Sequence, residues 1–395
     1  MTALPSIGIA VIGFGWMGQA HSRSFLRIPT LFPDRPADTR LVVCADNVPA
    51  RGAEAVRSFG FERSTTDPTD AIEDPDVDVV VVAAPNMLHE ELCVAAAAAG
   101  KHIFCEKPVG GTPEQTARVE LAARRAGVIT GVGYNYRWAP LVQYAKTLID
   151  DGVLGTITNY RGRFFSMYGA DPLGLLSWRF EHEGAGYGVS SDILSHSIDL
   201  AMMLNGPIDE LVGMRETFIT ERPIATEPGS HFARGAPGDP TGPVTNEDYA
   251  GCLARFANGT VATFESSRSI VGPQSQMAFE IYGTKGSIMW NLETMNEMRI
   301  FLTEETEQLH DGYTTVYAGE RYPYHAAFVP GDANSIGYED LKVIEDLNFL
   351  QAVVSGEQHE PGFRQALDYV SVQAALVRSW ASRGWEPVES IELPS

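Results

Sequence analysis

The 395-residue chain carries 51 acidic and 29 basic side chains, which gives a formal net charge of −22. Nucleic-acid phosphates and anionic membranes would repel such a surface, so we expect neither as a partner. The length suits two domains, each with its own core. The four cysteines show no metal-binding or disulfide spacing, so no bound metal is expected. No export signal precedes the first strand, which predicts a cytoplasmic protein.

A glycine-rich turn follows the first predicted strand. Residues 7–12 are apolar and lead into Gly13-Phe14-Gly15-Trp16-Met17-Gly18, after which residues 19–26 have a helical pattern. Strand, GxGxxG and helix together are typical of a loop whose backbone N–H groups bind a pyrophosphate at a helix N-terminus. The segment 29–39 contains three prolines and is predicted to be a surface insertion.

The second predicted strand, residues 41–45, ends at Asp46-Asn47. An acidic residue at this point accepts hydrogen bonds from the adenosine ribose and repels a 2′-phosphate, which favours NAD over NADP. The alternative is that Asp46 caps the helix that follows.

Two further turns are predicted to lie at carboxyl ends of buried strands. Residues 77–83 and 102–105 are mostly apolar and flank a helix over 89–99, which predicts a parallel sheet covered on both faces. Ala84-Pro85-Asn86 follows the first of these strands, and Glu106-Lys107-Pro108 follows the second. Ligands collect at such ends, so residues 1–132 are predicted to form a doubly wound α/β Rossmann domain that binds a dinucleotide.

Residues 133–395 have a different pattern, with a helix over 140–150 and then mostly alternating strands. Hairpin signals at Asn258-Gly259 and Thr284-Lys285-Gly286 predict an α+β domain with a large, open, mostly antiparallel sheet. Helices over 338–355 and 364–383 should cover this sheet or the first domain. An open sheet face suits a second subunit, so we expect a homo-oligomer, a dimer or a tetramer. The Pro- and Gly-rich segment 221–246 is long enough to be a lid or an interface arm.

Asp192 and His196 stand four residues apart in a predicted helix that begins after Gly188, with Ser190 or Ser191 as its N-cap. This spacing places both side chains on one helix face. Taken alone, the pair fits a first-turn carboxylate and an ordinary core histidine. Downstream of a nucleotide loop and of Lys107, it also fits alcohol oxidation, which needs a proton acceptor and a cation beside the developing oxyanion.

In order along the chain, the glycine loop, Ala84-Pro85-Asn86 with His89, Glu106-Lys107-Pro108, Asn135-Tyr136-Arg137 and Asp192-x3-His196 resemble the glucose-fructose oxidoreductase / inositol dehydrogenase / MocA family. The resemblance implies that Lys107, Asp192 and His196 form the catalytic set. The cofactor-binding residues that we predict from the motifs are Gly13, Gly15, Trp16, Met17, Gly18, Asp46, Asn47, Ala84, Pro85, Asn86, His89, Glu106, Lys107 and Asn135. The substrate-binding residues that we predict are Lys107, Tyr136, Arg137, Trp178, Arg179, Asp192 and His196.

Within the family, Ser177-Trp178-Arg179-Phe180 and Phe256-Ala257-Asn258-Gly259 resemble the subgroup of levoglucosan dehydrogenases. That resemblance implies NAD-dependent oxidation of a secondary ring hydroxyl at C3 of a pyranose or anhydrosugar. Three alternatives stay open: an inositol 2-dehydrogenase, a glycoside hydrolase that recycles tightly bound NAD, and a non-catalytic NAD-sensing protein. Trp178 could also serve only as a core residue.

Overall fold

The computed structural model describes residues 4–224, 233–303, 312–391 and 393. In the N-terminal half of this described chain, six parallel strands form one sheet in the order β3-β2-β1-β4-β5-β6. This is the strand order of a doubly wound dinucleotide-binding fold. The elements are β1 (Ser6–Ile12), α1 (Trp16–Leu31), β2 (Asp38–Ala45), α2 (Pro49–Glu54), β3 (Arg63–Thr65), α3 (Pro68–Ile72), β4 (Val79–Val82), α4 (His89–Ala98), β5 (His102–Cys105), α5 (Pro113–Ala126) and β6 (Thr130–Val132).

Helices cover both faces of this sheet, as the continuous valine run in β4 requires. All four β4 valines are completely buried. One face packs against α4 and α5, and the other packs against α1 together with a helix from the end of the chain, α11 (Tyr338–Ser355). The prediction of a Rossmann domain is therefore confirmed, with one of its layers supplied from the C-terminal part of the sequence.

The predicted insertion over 29–39 is largely wrong. Helix α1 continues through Pro29 to Leu31, and β2 already begins at Asp38. Proline lacks one N–H donor, and a last helical turn tolerates this loss better than a helix centre does. Only the short segment 32–37 links the two elements.

The second half of the chain contains a large mixed sheet with helices on one side. Nine strands join it within the described residues, in the order β16-β15-β14-β13-β7-β12-β11-β8-β17. All pairs are antiparallel except β7–β12, which is parallel. The elements are α6 (Pro140–Asp150), β7 (Ile157–Ser166), α7 (His182–Ala185), α8 (Val189–Asp192), α9 (Leu194–Asn205), β8 (Ile208–Glu216), β9 (Glu221–Pro223), β10 (Thr241–Pro243), β11 (Tyr249–Phe256), β12 (Val261–Ser267), β13 (Ser275–Gly283), β14 (Gly286–Asn291), β15 (Glu297–Leu302), β16 (Thr314–Tyr317), α10 (His325–Phe328), α11, α12 (Phe363–Ser382) and β17 (Glu386–Pro387).

The expected mostly antiparallel sheet is thus confirmed, and both hairpin signals lie between paired strands. Its inner face packs against α6, α9 and α12 to form the core of this half. The opposite face carries exposed side chains.

The segment 221–246 contains the short antiparallel pair β9–β10, while residues 225–232 lie outside the described chain. Arg222 of β9 is completely enclosed, and its guanidinium donates to main-chain carbonyls of Gly169 and Asp171. We call the described residues 217–224 and 233–245 the arm; they lie between β8 and β11 in the sequence.

None of the described helices is both long enough and apolar enough to cross a lipid bilayer.

Candidate active site

The glycine loop after β1 has the backbone shape that a pyrophosphate requires. Gly13 has a φ of +91°, and a Cβ added there would lie 2.7 Å from the Ala83 carbonyl. A Cβ on Gly18 would lie 1.9 Å from the Gly13 oxygen, so α1 can start this close to β1 only with glycine at that position. Around Gly15 the space is open to at least 4 Å. The loop therefore combines a tight turn, an open approach and close packing of helix on strand.

The first turn of α1 leaves its N–H groups available to an anion. It contains no acidic residue, and Gly15 provides no side-chain cap. Trp16 is 58% exposed and stacks on Tyr338 with ring centroids 5.4 Å apart. The Met17 sulfur accepts a hydrogen bond from the Tyr338 hydroxyl. Helix α11 thus lies beside the nucleotide loop.

Asp46 lies at the carboxyl end of β2, where its carboxylate accepts hydrogen bonds from Phe14 N (2.7 Å) and Val48 N (2.8 Å). A carboxylate can accept further bonds, so the ribose hydroxyls of NAD fit this position. The alternative of a helix cap is wrong, because α2 starts at Pro49 with Val48 as its N-cap and makes no side-chain cap bond. Asn47 is exposed beside it.

His89 connects two of the predicted cofactor-binding turns. Its ring nitrogens lie 2.7 Å from Pro108 O and 2.8 Å from Ala84 O, and the residue is 1% exposed. These contacts assign His89 to holding the turn Ala84-Pro85 against the turn Lys107-Pro108. Burial lowers its pKa. Asn86 begins a 3₁₀ turn at the same strand end.

Asn135 brings a free donor to this region. The residue is 1% exposed, and its Nδ2 makes no hydrogen bond within the described part of the chain. Buried amides normally find partners, so this group fits a ligand acceptor. Together with the glycine loop and Asp46, it gives a donor and acceptor set that fits NAD.

Lys107 and Asp192 form the centre of the site. Lys107 Nζ donates to Asp192 Oδ1 at 2.8 Å and to the Asp192 main-chain oxygen at 2.6 Å. Lys107 follows β5 in the first domain and Asp192 ends α8 in the second, so this pair joins the two halves. The Tyr168 hydroxyl donates to Asp192 Oδ2 at 2.8 Å. The motifs did not reveal Tyr168, which follows β7 in a loop with no distinctive pattern.

The charge state of Asp192 follows from these contacts. Burial opposes ionisation, but the charges of Lys107 and Arg179, with the hydrogen bonds from Lys107 and Tyr168, lower the pKa of this carboxyl. Burial and the Asp192 charge raise the pKa of Tyr168. Asp192 is thus an acceptor fixed by a lysine and a phenol.

His196 lies in an aromatic environment and is 7% exposed. The Tyr136 ring contacts it with centroids 4.7 Å apart, and the rings of Tyr134 and Phe164 lie at 5.8 and 6.2 Å. Its Nδ1 makes no hydrogen bond among the described residues. Burial, and next the charge of Lys107, lower the pKa of His196 well below 6.5, so the imidazole is neutral at pH 7 and can accept a proton.

The predicted continuous helix carrying Asp192 and His196 is interrupted. Asp192 ends α8, Ile193 has a φ of −115°, and His196 lies in the first turn of α9. The N-cap is Gly188, whereas Ser190 and Ser191 lie inside α8 and are buried. The serine capping prediction is therefore wrong, and the two site residues come from neighbouring helices.

The predicted substrate residues lie in different environments. Trp178 and Arg179 form a partly exposed stack, with Arg179 Cζ 4.3 Å from the indole centroid. Tyr136 contacts His196, as described above. Arg137 is buried, and its guanidinium makes two bonds to Asp199 at 2.6 and 2.7 Å. The predicted substrate contact of Arg137 does not fit these bonds, because Nε and Nη2 of its guanidinium already bind the buried carboxylate of Asp199.

Glu106 also has partners other than those expected. Its Oε1 accepts from Lys342 Nζ at 2.6 Å and from His21 Nε2 at 3.0 Å. His21 in turn contacts Asp346, and Lys342 donates to Glu345 at 2.8 Å. We call these five residues the sealed cluster. Glu106 thus interacts with α1 and α11, and any cofactor contact would be additional to these bonds.

Comparisons with known proteins agree with this geometry. Residues 7–134 match a family model described as oxidoreductase family, NAD-binding Rossmann fold, and residues 142–289 match the GFO/IDH/MocA C-terminal domain. Levoglucosan dehydrogenase from Pseudarthrobacter phenanthrenivorans is 38% identical over 98% of this chain and 100% of its own. The NAD⁺-dependent scyllo-inositol 2-dehydrogenase of Bacillus subtilis is 29% identical over 71% of this chain and 72% of its own.

A solved structure of levoglucosan dehydrogenase in complex with NADH and levoglucosan superposes with a TM-score of 0.91, covering 98% of this chain and 100% of that one at 37% identity. The predicted NAD(P)-dependent oxidoreductase acting on CH–OH groups, with NAD as its cofactor, is confirmed. The chain belongs to the glucose-fructose oxidoreductase / inositol dehydrogenase / MocA family.

Proposed function

We propose that this protein oxidises a secondary ring hydroxyl of a pyranose or anhydrosugar such as levoglucosan to the keto sugar, with NAD as hydride acceptor. The observation that carries the proposal is the Lys107–Asp192 pair, at 2.8 Å, together with a neutral, buried His196. The levoglucosan dehydrogenase that is 38% identical over its full length supports this substrate class. The position oxidised is C3, as the resemblance to that subgroup implies.

Lys107, Asp192 and His196 each have a distinct task in this proposal. NAD, when bound, supplies the electron acceptor for the C–H bond. His196 takes the hydroxyl proton, because its imidazole is uncharged. Lys107 donates to the oxygen as negative charge develops there. The Asp192 carboxylate keeps a negative charge beside the ammonium, with Oδ1 accepting from Lys107 and Oδ2 accepting from Tyr168.

The sugar is held beside this trio. Trp178 and Arg179 offer an apolar face with a cation stacked on it, and both are partly exposed. Aromatic faces suit the C–H side of a sugar ring, while guanidinium donors suit its hydroxyls. Arg179 also lies near enough to Asp192 for its charge to lower the pKa of that carboxyl.

A substrate panel tests the proposal. Levoglucosan, aldoses and inositols are each incubated with NAD and with NADP, and reduced nicotinamide is read by absorbance. We expect NAD reduction with an anhydrosugar, a 3-keto product identified by NMR, and one NADH per sugar oxidised. Turnover of inositols alone would favour an inositol 2-dehydrogenase. Product without net NADH would indicate a hydrolase, and no turnover would indicate a sensor.

We also propose that two subunits associate through the open face of the nine-stranded sheet. Met214, Leu253 and Val261 are exposed on adjacent strands and point from the same face. Apolar side chains grouped in this way are typical of interfaces. Light scattering should give a mass of at least two chains, and a monomer at micromolar concentration would contradict the proposal.

A further inference from the structure

Three consecutive polar residues lie between the arm and β11, and they are almost completely buried. Asn246, Glu247 and Asp248 are 2%, 0% and 0% exposed. We call them the polar hub. Burial of such groups costs free energy unless each is hydrogen-bonded, so their partners indicate what they hold in place.

Glu247 holds the turn that carries Asp192. Its Oε1 accepts from Ser190 N at 3.0 Å and from Ser190 Oγ at 2.7 Å. Its main-chain oxygen accepts from Val189 N at 3.1 Å. A Cβ on Gly188 would lie 2.0 Å from that same oxygen, so α8 starts in direct contact with Glu247. Asp192 ends α8 only two residues after Ser190.

Asn246 and Asp248 hold the segment that carries Arg179. Asn246 Nδ2 donates to Arg179 O at 3.0 Å and to Gly186 O at 3.3 Å. Arg268 joins both residues, because it donates to Arg179 O, to Asn246 Oδ1 and to Asp248 Oδ1. The Asp248 carboxylate also accepts from the main-chain N–H groups of 218 and 219, at the beginning of the arm.

We infer that Glu247 is a positioning residue for Asp192, and that the polar hub fixes Asp192 and Arg179 relative to each other and to the arm. The assignment rests on the proposed function for the role of Asp192. A fully buried carboxylate is a poor means of gaining stability alone, since its desolvation offsets much of what its bonds return. Both side-chain hydrogen bonds of Glu247 come from Ser190, in the turn before Asp192, so holding that turn is the role that these bonds indicate.

The variants Glu247→Ala and Glu247→Gln test this inference. The alanine variant loses both side-chain bonds to Ser190 and keeps the main-chain bond from Val189 N. The turn before Asp192 is then held less firmly, and kcat should fall about 10²-fold, the cost of a displacement near 1 Å at a catalytic group. The glutamine variant keeps an oxygen acceptor and should stay within about threefold of wild type, since an amide oxygen can accept both bonds. The KM for NAD and the affinity for NADH should stay unchanged in both.

A second readout needs neither substrate nor cofactor. Amide hydrogen exchange over residues 189–193 of the cofactor-free protein should rise in Glu247→Ala and return to the wild-type rate in Glu247→Gln. This separates the two proposals. If no ring alcohol is oxidised but exchange responds as expected, only the proposed function fails. If exchange in Glu247→Ala matches wild type, the positioning inference fails.

The matched control is Gln358→Ala. Gln358 Oε1 accepts from Thr130 N at 2.9 Å and from Thr130 Oγ1 at 3.2 Å, the same pair of donors from one residue, at the amino end of β6. Its Nε2 also donates to Thr130 O and His359 O, so the control removes at least as many bonds as Glu247→Ala does. We expect unchanged kcat in this variant. An equal loss of kcat in Gln358→Ala would overturn the inference, because any missing pair of bonds would then have that effect.

Ser190→Ala provides a test should Glu247→Ala not fold. It removes one of the two bonds and keeps the other, so kcat should fall about threefold to tenfold. Wild-type kcat in Ser190→Ala would overturn the inference. Where all variants fold, the Ser190 substitution should add nothing to Glu247→Ala, as expected for two groups that act through one contact.

Discussion

Two lysine–carboxylate clusters lie side by side in this molecule, and adjacent residues of one turn belong to different clusters. The side chains of Lys107 and Asp192 are 15% and 32% exposed, while those of Lys342 and Glu106 are 1% and 10% exposed. The first pair can reach a ligand, and the second is enclosed between α1, β5 and α11. Similar ionic contacts are therefore open to a ligand in one place and join two parts of the chain in the other.

The sealed cluster combines two basic and three acidic side chains. Burial acts to lower the pKa of His21, but the charge of Asp346 and the bonds to Asp346 and Glu106 raise it to about 9. Burial raises the pKa of Glu345 to about 8, against the charge of Lys342. At pH 7 the cations of His21 and Lys342 thus face an ionised Glu106 and a protonated Glu345. This arrangement joins the Rossmann sheet to a helix from the end of the chain.

The greatest loss of activity is expected at His196. We call Lys107, Asp192, Tyr168 and His196 the accessible cluster. Replacing His196 by alanine removes the proton acceptor, so kcat should fall by roughly 10²–10⁴-fold. NADH affinity, measured by titration of nicotinamide fluorescence, should stay within about twofold of wild type. Wild-type kcat would exclude His196 as the base, and lost NADH binding would mean that the residue serves the cofactor.

The matching test of the sealed cluster is Lys342→Met. It leaves Glu106 buried with only His21, and breaking a buried pair in this way costs about 3–5 kcal/mol of unfolding free energy. Urea unfolding measures the loss. Lys146→Met, in an exposed pair with Asp150, should change stability by no more than about 1 kcal/mol. Equal losses in the two variants would remove the distinction between sealed and exposed pairs.

Tyr168→Phe tests the hydrogen bond from the Tyr168 hydroxyl to Asp192. It removes one donor from the charged Asp192, a bond of about 1.5–3 kcal/mol, so kcat should fall about 10-fold to 100-fold. Tyr282→Phe is the control, because the Tyr282 hydroxyl also donates to a carboxylate at 2.8 Å, that of Glu280. That variant should keep wild-type kcat. If both variants behave alike, Tyr168 has no special role.

The smallest expected effect is a pH dependence in the sealed cluster. The pKa of Glu345 is raised from 4.5 to about 8, so its stabilising contribution is complete below about pH 4.5 and is lost as the pH rises through 8. Glu345→Gln stays neutral and removes that loss. Between pH 5 and 8, unfolding free energy of the wild type should fall relative to the variant by at least about 1 kcal/mol. Parallel curves would show that Glu345 is ionised throughout.

Local patterns predicted the parts of the molecule that depend on neighbouring residues. The glycine loop and the strand ends are each carried by a few adjacent positions, whereas the continuous helix predicted for Asp192 and His196 is interrupted at Ile193. Strand β5, helix α6 and helix α11 have the predicted boundaries. The position of Lys107 at the carboxyl edge of the sheet was predictable for the same reason, because parallel strands present their carboxyl ends to one edge.

Residues joined across long sequence distances were not predictable in this way. Lys342 lies 236 residues from Glu106, and Tyr168 lies in a loop 24 residues before Asp192. Arg137 followed the family pattern for a ligand contact, but Asp199, 62 residues away, binds its guanidinium. The polar hub was not predicted either, because three adjacent polar residues are normally expected at the surface.

Lys107 binds residue 192 through two acceptors, and only one of them belongs to the side chain. Lys107 Nζ donates to the main-chain oxygen of residue 192 at 2.6 Å as well as to the carboxylate. That oxygen persists whatever amino acid is encoded at 192. A loss of activity on replacing Asp192 therefore reports mainly the loss of its negative charge. The main-chain bond can still hold the Lys107 ammonium in such a variant.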